Sequence, residues 1–582
     1  MDRQTPGAGS TGSTGNTGAT DTAAGAPDRA RTTLLRGGAI YSPTDPFATA
    51  MLVEGETVAW IGSDAAAAAH TDAVDQTIDL GGALVTPAFV DAHVHATSTG
   101  LALTGLDLAG CRSAAELLDR VAGWSAQAPA DATVLGHGWD ESGWSAAGEG
   151  GQAVPTRAEL DRAAGGRKLY LTRVDVHSAL VSSAMADEAA DLPELAGYQA
   201  DGPLSQDAHH AVRALAHAGI TADQRAGAQR AFLARAASLG IGAVHECGGP
   251  TISSEDDFTG LLALARAELA PYVFGYWGEL ADPEKSRTLG AVGAGGDLFI
   301  DGALGSHTAC LRTAYIDAGP ESDAATGADH TGQSYLEVGE LAAFLVACVE
   351  AGVQPGFHVI GDGALDILCA GLELAHDVVG DKRLRVVAVR AEHAEMLDHR
   401  HIKLFAKHGV VVSAQPGFDA AWGGTEGMYA QRLGAGRAAG LNPFAALGAA
   451  GVVLAFGSDS PVIPLGPWAA VRAAVFHQTE ASRLSARAAF AAHTRGGWRA
   501  LLPTAGGVPA DETGVLAPGS PATYAVWSAG DLVVQAPDTR VAAWSTDERA
   551  GVPGLPDLSP GRDLPTCLRT AVRGRVIFDA LS

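Results

Sequence analysis

Two histidines one residue apart, His93 and His95, close an apolar run that begins Thr86-Pro-Ala-Phe-Val. In an extended strand, residues i and i+2 point to the same side. The run therefore presents two imidazoles together at its C-terminal end, which is half of a site for a divalent ion. Other apolar runs end in the same style. Thr172-Arg-Val is followed by Asp175 and His177, Ile241-Gly-Ala-Val by His245 and Glu246, and Leu298-Phe-Ile by Asp301. Pro355-Gly-Phe is followed by His358, Arg390-Ala by Glu392 and His393, Val411-Val-Ser-Ala by Gln415, and Val453-Leu-Ala-Phe-Gly by Ser458 and Asp459. His93, His95, His358, His393 and Asp459 together offer the imidazole and carboxylate donors that zinc and related ions take. An ion there draws the pKa of water towards neutrality. Asp459, with His393 beside it, could then hold that water and pass its proton to a leaving nitrogen. The reaction class these residues predict is metal-assisted hydrolysis.

Such residues converge only if the runs are parallel strands of one sheet. From about 86 to 500, strand-like runs alternate with Ala/Leu-rich helical stretches at Ser113–Trp124, Ala222–Leu239, Gly339–Ala351 and Ala364–Val379. Eight runs are expected as strands: Leu84–Val90, Leu169–Thr172, Ile241–His245, Leu298–Asp301, Gln354–Ile360, Val386–Glu392, Val410–Ala414 and Val453–Gly457. Repeated βα units predict a parallel sheet, and eight predict an α/β fold of the TIM-like (β/α)8 barrel type. Its active face is the rim at the strands' C-terminal ends. The segments 97–167 and 181–230 are the expected insertions. Short strands and turns recur before residue 85 and after residue 505, so both termini are expected to build one small composite β-sandwich domain. The expected division is a flexible tail over 1–30, the N-terminal part of the β-domain over 31–85, the barrel over 86–504, and the C-terminal part over 505–582. The tail is Gly, Thr, Ser and Ala with too few large apolar groups to order itself.

The 582 residues are 47% apolar, enough for a large core, and carry a formal charge of −27. Such a surface repels phosphate backbones and anionic lipid, which argues against nucleic-acid and membrane partners. The expected partner is a small-molecule substrate, with a homodimer as the ordinary assembly. The six cysteines are scattered without a C-x-x-C pair, which reads as buried thiols rather than a disulfide framework. No run reaches membrane-spanning length, and no apolar segment follows Met1-Asp-Arg-Gln-Thr, so a cytoplasmic location is expected.

The segments Thr86–His95, Leu298–Leu311, His358–Asp362, Arg390–Ala394 and Gly457–Val462 together resemble the amidohydrolase superfamily, and within it the YtcJ-like group that includes N-substituted formamide deformylases. The resemblance implies a hydrolase of C–N bonds other than peptide bonds. It makes His93, His95, His358, His393 and Asp459 the metal-site residues, with one or two divalent ions, zinc first. One position departs from the group. A lysine often precedes the Leu-Phe-x-Asp-Gly stretch, carboxylated to bridge two metals, and Asp297 stands there. Either the site holds one ion, or Glu246 supplies the bridging carboxylate, or Asp297 does so from a shifted strand. Asp301, His177, Trp139 and Gln415 are candidates for contact with substrate. Asp301 could equally hold the turn at Gly302, and Trp139 belongs to a loop, Gly136–Trp144, read as a pocket wall or lid. His399, His401, His477 and His493 are read as carrying no chemistry. Amide hydrolysis is the first reading. Deamination or cyclic-amidine hydrolysis on the same scaffold is the second, and an inactive binding or regulatory relative the third.

Overall fold

The computed structural model describes residues 31–127, 133–144, 154–280, 282–317, 330–503, 505–535, 544–545 and 552–581. The tail expected over 1–30 lies outside the described residues. Eight strands form one sheet: β1 (Phe89–Val94), β2 (Ile241–Gly248), β3 (Tyr272–Trp277), β4 (Gly293–Ala294), β5 (Gln354–Val359), β6 (Arg390–His393), β7 (Val411–Ala414) and β8 (Val453–Phe456). Each pairs in parallel with the next. The sheet curls until its edges meet. There the Asp459 N–H donates to the His93 carbonyl at 2.8 Å, and Val94 bridges Ser460 in parallel. Every residue of β1, β2 and β5 is buried, as expected for strands covered on both faces.

Helix α1 (Ala96–Thr104) leaves β1 directly after His95. It packs against α3 (Ala222–Ser238), which follows α2 (Gln206–Ala218) and leads into β2. A reciprocal cap starts α3: the Thr221 hydroxyl accepts the Gln224 N–H, and the Gln224 side chain accepts the Thr221 N–H. A cap of this kind is worth about 1 kcal/mol.

Strand assignment differs from the sequence expectation in several places. Leu169–Arg173 is a strand, but it pairs with Val134–Trp139 and Ser178–Val181 in a separate five-stranded sheet inserted after α1. A short apolar run announces a buried strand without saying which sheet holds it. Leu298–Asp301 runs beside β5 through a single Phe299–His358 bridge, and strand four is the two-residue β4 before it. Val386 lies in the helix Asp381–Val387, so β6 starts only at Arg390. Tyr272–Trp277 was not among the expected strands, and it is β3.

The expected first strand divides at Ala88. Leu84–Pro87 pairs antiparallel with Tyr524–Ser528 in a sheet that also contains Ala39–Ile40, Thr566–Val572 and Arg575–Asp579. A second sheet is built from Thr32–Arg36, Ala50–Glu54, Thr57–Gly62 and Gln76–Asp79. Leu35, Met51, Val85, Tyr524 and Val526 share one core, so strands from both ends of the chain pack together. The sheets abut the barrel tightly. Gly240, at φ +74°, has no room for a side chain, because a Cβ there would lie 2.3 Å from the Trp527 ring.

Candidate metal centre

At the C-terminal rim, Asp297 lies between two pairs of histidines. Its Oδ2 is 3.1 Å from His95 Nε2, and its Oδ1 is 3.5 Å from His93 Nε2. The same Oδ1 is 3.6 Å from His358 Nδ1 and 3.9 Å from His393 Nε2. Asp459 faces the cluster from β8. Its Oδ1 is 3.1 Å from His95 Nε2 and 3.5 Å from His93 Nε2, and its Oδ2 is 3.9 Å from His393 Nδ1. His93, His95 and Asp297 form one group able to hold an ion, and Asp297, His358 and His393 form another. Asp297 belongs to both. Its segment comes close to the end of β3 because Gly278 has no side chain: a Cβ there would be 2.6 Å from the Asp297 carbonyl carbon.

The donor set fits a divalent cation. His93 Nε2, His393 Nε2, Asp297 Oδ1 and Asp459 Oδ1 are buried without a hydrogen-bond partner. Buried polar atoms are ordinarily paired, and four unpaired ones facing each other call for a charge between them. Burial pushes both carboxyls up, yet the His93 charge and the other imidazoles outweigh it. Asp297 is held well below the usual carboxylate range, and Asp459 below it.

A layer of hydrogen bonds aims the rings. His93 Nδ1 meets Glu392 Oε2 at 3.0 Å, and Arg390 clamps Glu392 from the other side at 2.8 Å. His95 Nδ1 donates to the Cys247 carbonyl at 3.0 Å, and His393 Nδ1 donates to Gln415 Oε1 at 2.9 Å. Such partners select the tautomer that leaves the opposite nitrogen free to ligate. His358 is turned the other way, with Nε2 on the Gly302 carbonyl at 3.3 Å and Nδ1 towards Asp297. Asp91 accepts the Ser458 N–H at 2.8 Å and so fixes the turn that delivers Asp459. His393 and Asp459 take φ of +67° and +56°, conformations unusual for residues with a Cβ and common where function requires them.

The amidohydrolase family pattern matches residues 76–578 of this chain. The chain belongs to the amidohydrolase family. Among relatives, Protein LONG AFTER FAR-RED 3 of Arabidopsis thaliana is 26% identical over 476 residues, 76% of this chain and 77% of that protein. The putative amidohydrolase YtcJ of Bacillus subtilis (strain 168) is 24% identical over 439 residues, 69% of this chain and 75% of that protein. Among solved structures, an uncharacterized metal-dependent hydrolase from Pyrococcus furiosus is 25% identical with a TM-score of 0.62, covering 85% of this chain and 98% of that one. A second, from Pyrococcus horikoshii OT3, is 24% identical with a TM-score of 0.63, covering 85% and 97%. The family makes this chain a hydrolase, and its clustered donors fit a divalent cation.

The remaining expected residues divide. Glu246 lies on the opposite face of β2 from His245 and Cys247. Its carboxylate accepts the Ala96 N–H at 2.7 Å, at the start of α1, and it is not among the clustered donors. Asp301 is fully buried, as in the turn-holding alternative: its carboxylate accepts the N–H groups of Cys310, Ile360 and Gly361 at 2.8–2.9 Å and holds two loops together. Trp139 is no lid residue. It ends the strand Val134–Trp139, is fully buried, and donates to the Leu171 carbonyl at 2.9 Å inside the inserted sheet's core. His177 does reach the site, its ring 5.4 Å from that of His358, and it lines the pocket with Asp175, His393 and Asp459. Gln415 acts on His393 as described.

That pocket is completed by Glu395, Phe418, Trp422, Met428 and Tyr429, none of which the sequence reading singled out. Phe418 and Trp422 lie on the helix Pro416–Trp422 directly after β7, so the rim position of that loop was the available signal. Cys247 was also missed. Its Sγ is 3.5 Å from His93 Nδ1, and the clue was its place two residues beyond His245 on the inward face. Among the described residues, no helix is long and apolar enough to cross a membrane.

Proposed function

We propose that this amidohydrolase cleaves a non-peptide C–N bond in a small N-substituted amide, formamides included. The observation that supports this reading best is the position of Asp459. Its carboxylate borders both His95 and His393, faces the pocket, and keeps one oxygen without a partner. His93, His95 and Asp297 would hold one ion, and Asp297, His358 and His393 a second, with Asp297 in place of the family's lysine. Zinc suits imidazole and carboxylate donors. The metal, when bound, supplies Lewis acidity that makes water nucleophilic near neutral pH and polarises the scissile carbonyl. Asp459 accepts the proton released by the attacking water and delivers it to the departing nitrogen. His177, which lines the same pocket beside the His358 ring, would donate to the carbonyl oxygen as it gains charge. Phe418, Trp422 and Met428 give the acyl or amine substituent an apolar wall and exclude bulk water.

The test is elemental analysis of the purified chain together with turnover of a panel of N-substituted formamides and acetamides. Close to two zinc ions per chain, falling in Asp297→Ala, with release of amine and acid, is the expected result. Release of ammonia from amidines or aminopurine-like rings, without amide turnover, would assign the site to deamination. No bound metal after reconstitution would overturn the hydrolytic reading.

A further inference from the structure

Arg213 is buried in α2, 7% exposed. Among the described residues its guanidinium has no hydrogen-bond partner and no paired carboxylate, whereas buried arginines elsewhere in this chain are fully engaged, as Arg173 is by Asp140, Glu141 and Asp175. A guanidinium carries five donors in a planar fork. Its nitrogens keep contact with solvent through the clefts they line, and no anion from the protein meets them.

Arg213 lines two adjoining, solvent-open clefts between the inserted sheet and the barrel rim. No carboxylate lines the first. The histidines there are neutral: burial, and then the Arg213 charge, push His217 down to about 3, and burial lowers His137. In the second cavity Asp257 is engaged by Thr97 and Gln229 at 2.7 Å, and Arg225 donates to Ser254 at 3.2 Å. Asp256 also lines the second cavity, so the charge without a nearby carboxylate is that of Arg213 where it faces the first.

The place of the first cavity ties it to the reaction. Its wall includes Ser98 of α1, three residues past His95, Val176, beside His177, and Pro461, two residues past Asp459. The loops 175–177 and 459–462 thus contribute side chains both to it and to the pocket over the metal centre.

We propose that Arg213 anchors a carboxylate carried by the substrate, so that the enzyme acts on amides bearing an anionic group a few bonds from the scissile nitrogen or carbonyl. The inference rests on the amide-hydrolase reading. Paired N–H donors of arginine match a carboxylate's two oxygens, and the neutral histidines and Thr172 around it can take up remaining hydrogen bonds. A wholly neutral substrate would leave the charge unanswered.

The experiment compares N-acetyl ω-amino acids carrying two to five methylenes with their neutral carboxamides. Binding is measured by calorimetry on metal-loaded wild type, Arg213→Gln and Arg213→Lys, and hydrolysis by amine release. For at least one tether length, wild type is expected to bind the carboxylate about tenfold or more tighter than the carboxamide. Arg213→Gln loses that preference with carboxamide affinity unchanged, and Arg213→Lys retains part of it. Because no native partner is lost, neither variant is expected to melt below wild type; should the Gln variant not fold, the Lys variant and the wild-type preference carry the comparison. Equal binding of both probe series at every length, absence of binding, or a preference that survives Arg213→Gln (as capture by the metal would) overturns the proposal. An Arg213-dependent preference without hydrolysis of either series would instead sink the amide-hydrolase reading and leave the carboxylate site standing. Hydrolysis of both series at equal kcat/KM would do the reverse.

Discussion

On one side of the His93 ring lie Glu392, Arg390 and His245; on the other lie Asp297 and Asp459. Both groups are buried, and both mix charges with imidazole. In the first, nearly every donor is spent within the protein. Arg390 reaches both Glu392 oxygens at 2.8 and 3.1 Å, His245 Nδ1 at 2.9 Å and the Ala92 carbonyl at 2.9 Å, and stacks 4.3 Å over Tyr276. In the second, ligand atoms are left open. The contrast shows how the same residue types serve two purposes. A closed ion-pair network makes a rigid floor, and an open one waits for a charge from outside. His93 joins them, Nδ1 in the closed set and Nε2 in the open set.

The largest effects should come from the open set. His93→Ala is expected to abolish turnover and lower metal content. Asp459→Asn, which keeps shape but cannot accept the proton, should reduce kcat by about a thousandfold. Circular dichroism of both variants should match wild type. A variant that unfolds, or keeps its activity, would show that the open set is structural. Arg390→Met probes the closed set. It leaves Glu392 buried without its cation, and breaking a buried pair costs about 3–5 kcal/mol. The readout is a fall in unfolding free energy that appears with or without metal. Equal stability would mean that Glu392 finds another partner, and the two clusters would then differ less than their geometry says.

Asp297 and Asp301, four positions apart, repeat this contrast. Asp301 is satisfied by three backbone N–H groups, whereas Asp297 faces imidazoles and has an unpaired oxygen. Their sequence contexts did not distinguish them, because which aspartate meets a loop's amides depends on how that loop folds over β5. The convergence of His93, His95, His358, His393 and Asp459 was readable, since each follows a short apolar run and parallel strands place such ends on one rim. Glu246 against Cys247 was not, because side-chain parity flips with a one-residue change in register. The expected strands Leu169–Thr172 and Leu298–Asp301 were misplaced, and β3 was missed, for related reasons. The inserted strand Leu169–Arg173 carries the same apolar signal as a barrel strand, and β4 is only two residues long. Trp139 looked like a loop aromatic, and its burial comes from contacts with Leu171 that only the inserted sheet creates. Asp301→Asn would sharpen the distinction. One amide N–H of the loop would meet an N–H donor instead of a carboxylate, at about 1–3 kcal/mol of stability, with metal content unchanged.

A third kind of buried carboxylate completes the series and gives the mildest prediction. Glu512 is 9% exposed and receives one hydrogen bond, from the Thr523 hydroxyl at 2.8 Å. Burial pushes its pKa up to about 7 from 4.5, against the hydrogen bond and the more distant Arg573 charge. Below about pH 4 the carboxyl is protonated in both folded and unfolded chains and contributes nothing to the pH dependence. Between 4.5 and about 7 the unfolded chain gives up its proton while the folded chain keeps it, so stability declines as pH rises through that window. Glu512→Gln removes the titration and keeps the hydrogen-bond acceptor. Measured by denaturant unfolding, the variant should match wild type near pH 4 and exceed it by about 1–3 kcal/mol at pH 8. A constant difference across that range would mean Glu512 keeps its ordinary carboxylate pKa in the folded chain. One hydroxyl and a remote arginine would then do for Glu512 what the Arg390 clamp does for Glu392, and burial alone would not separate a carboxylate that needs a cation from one that does not.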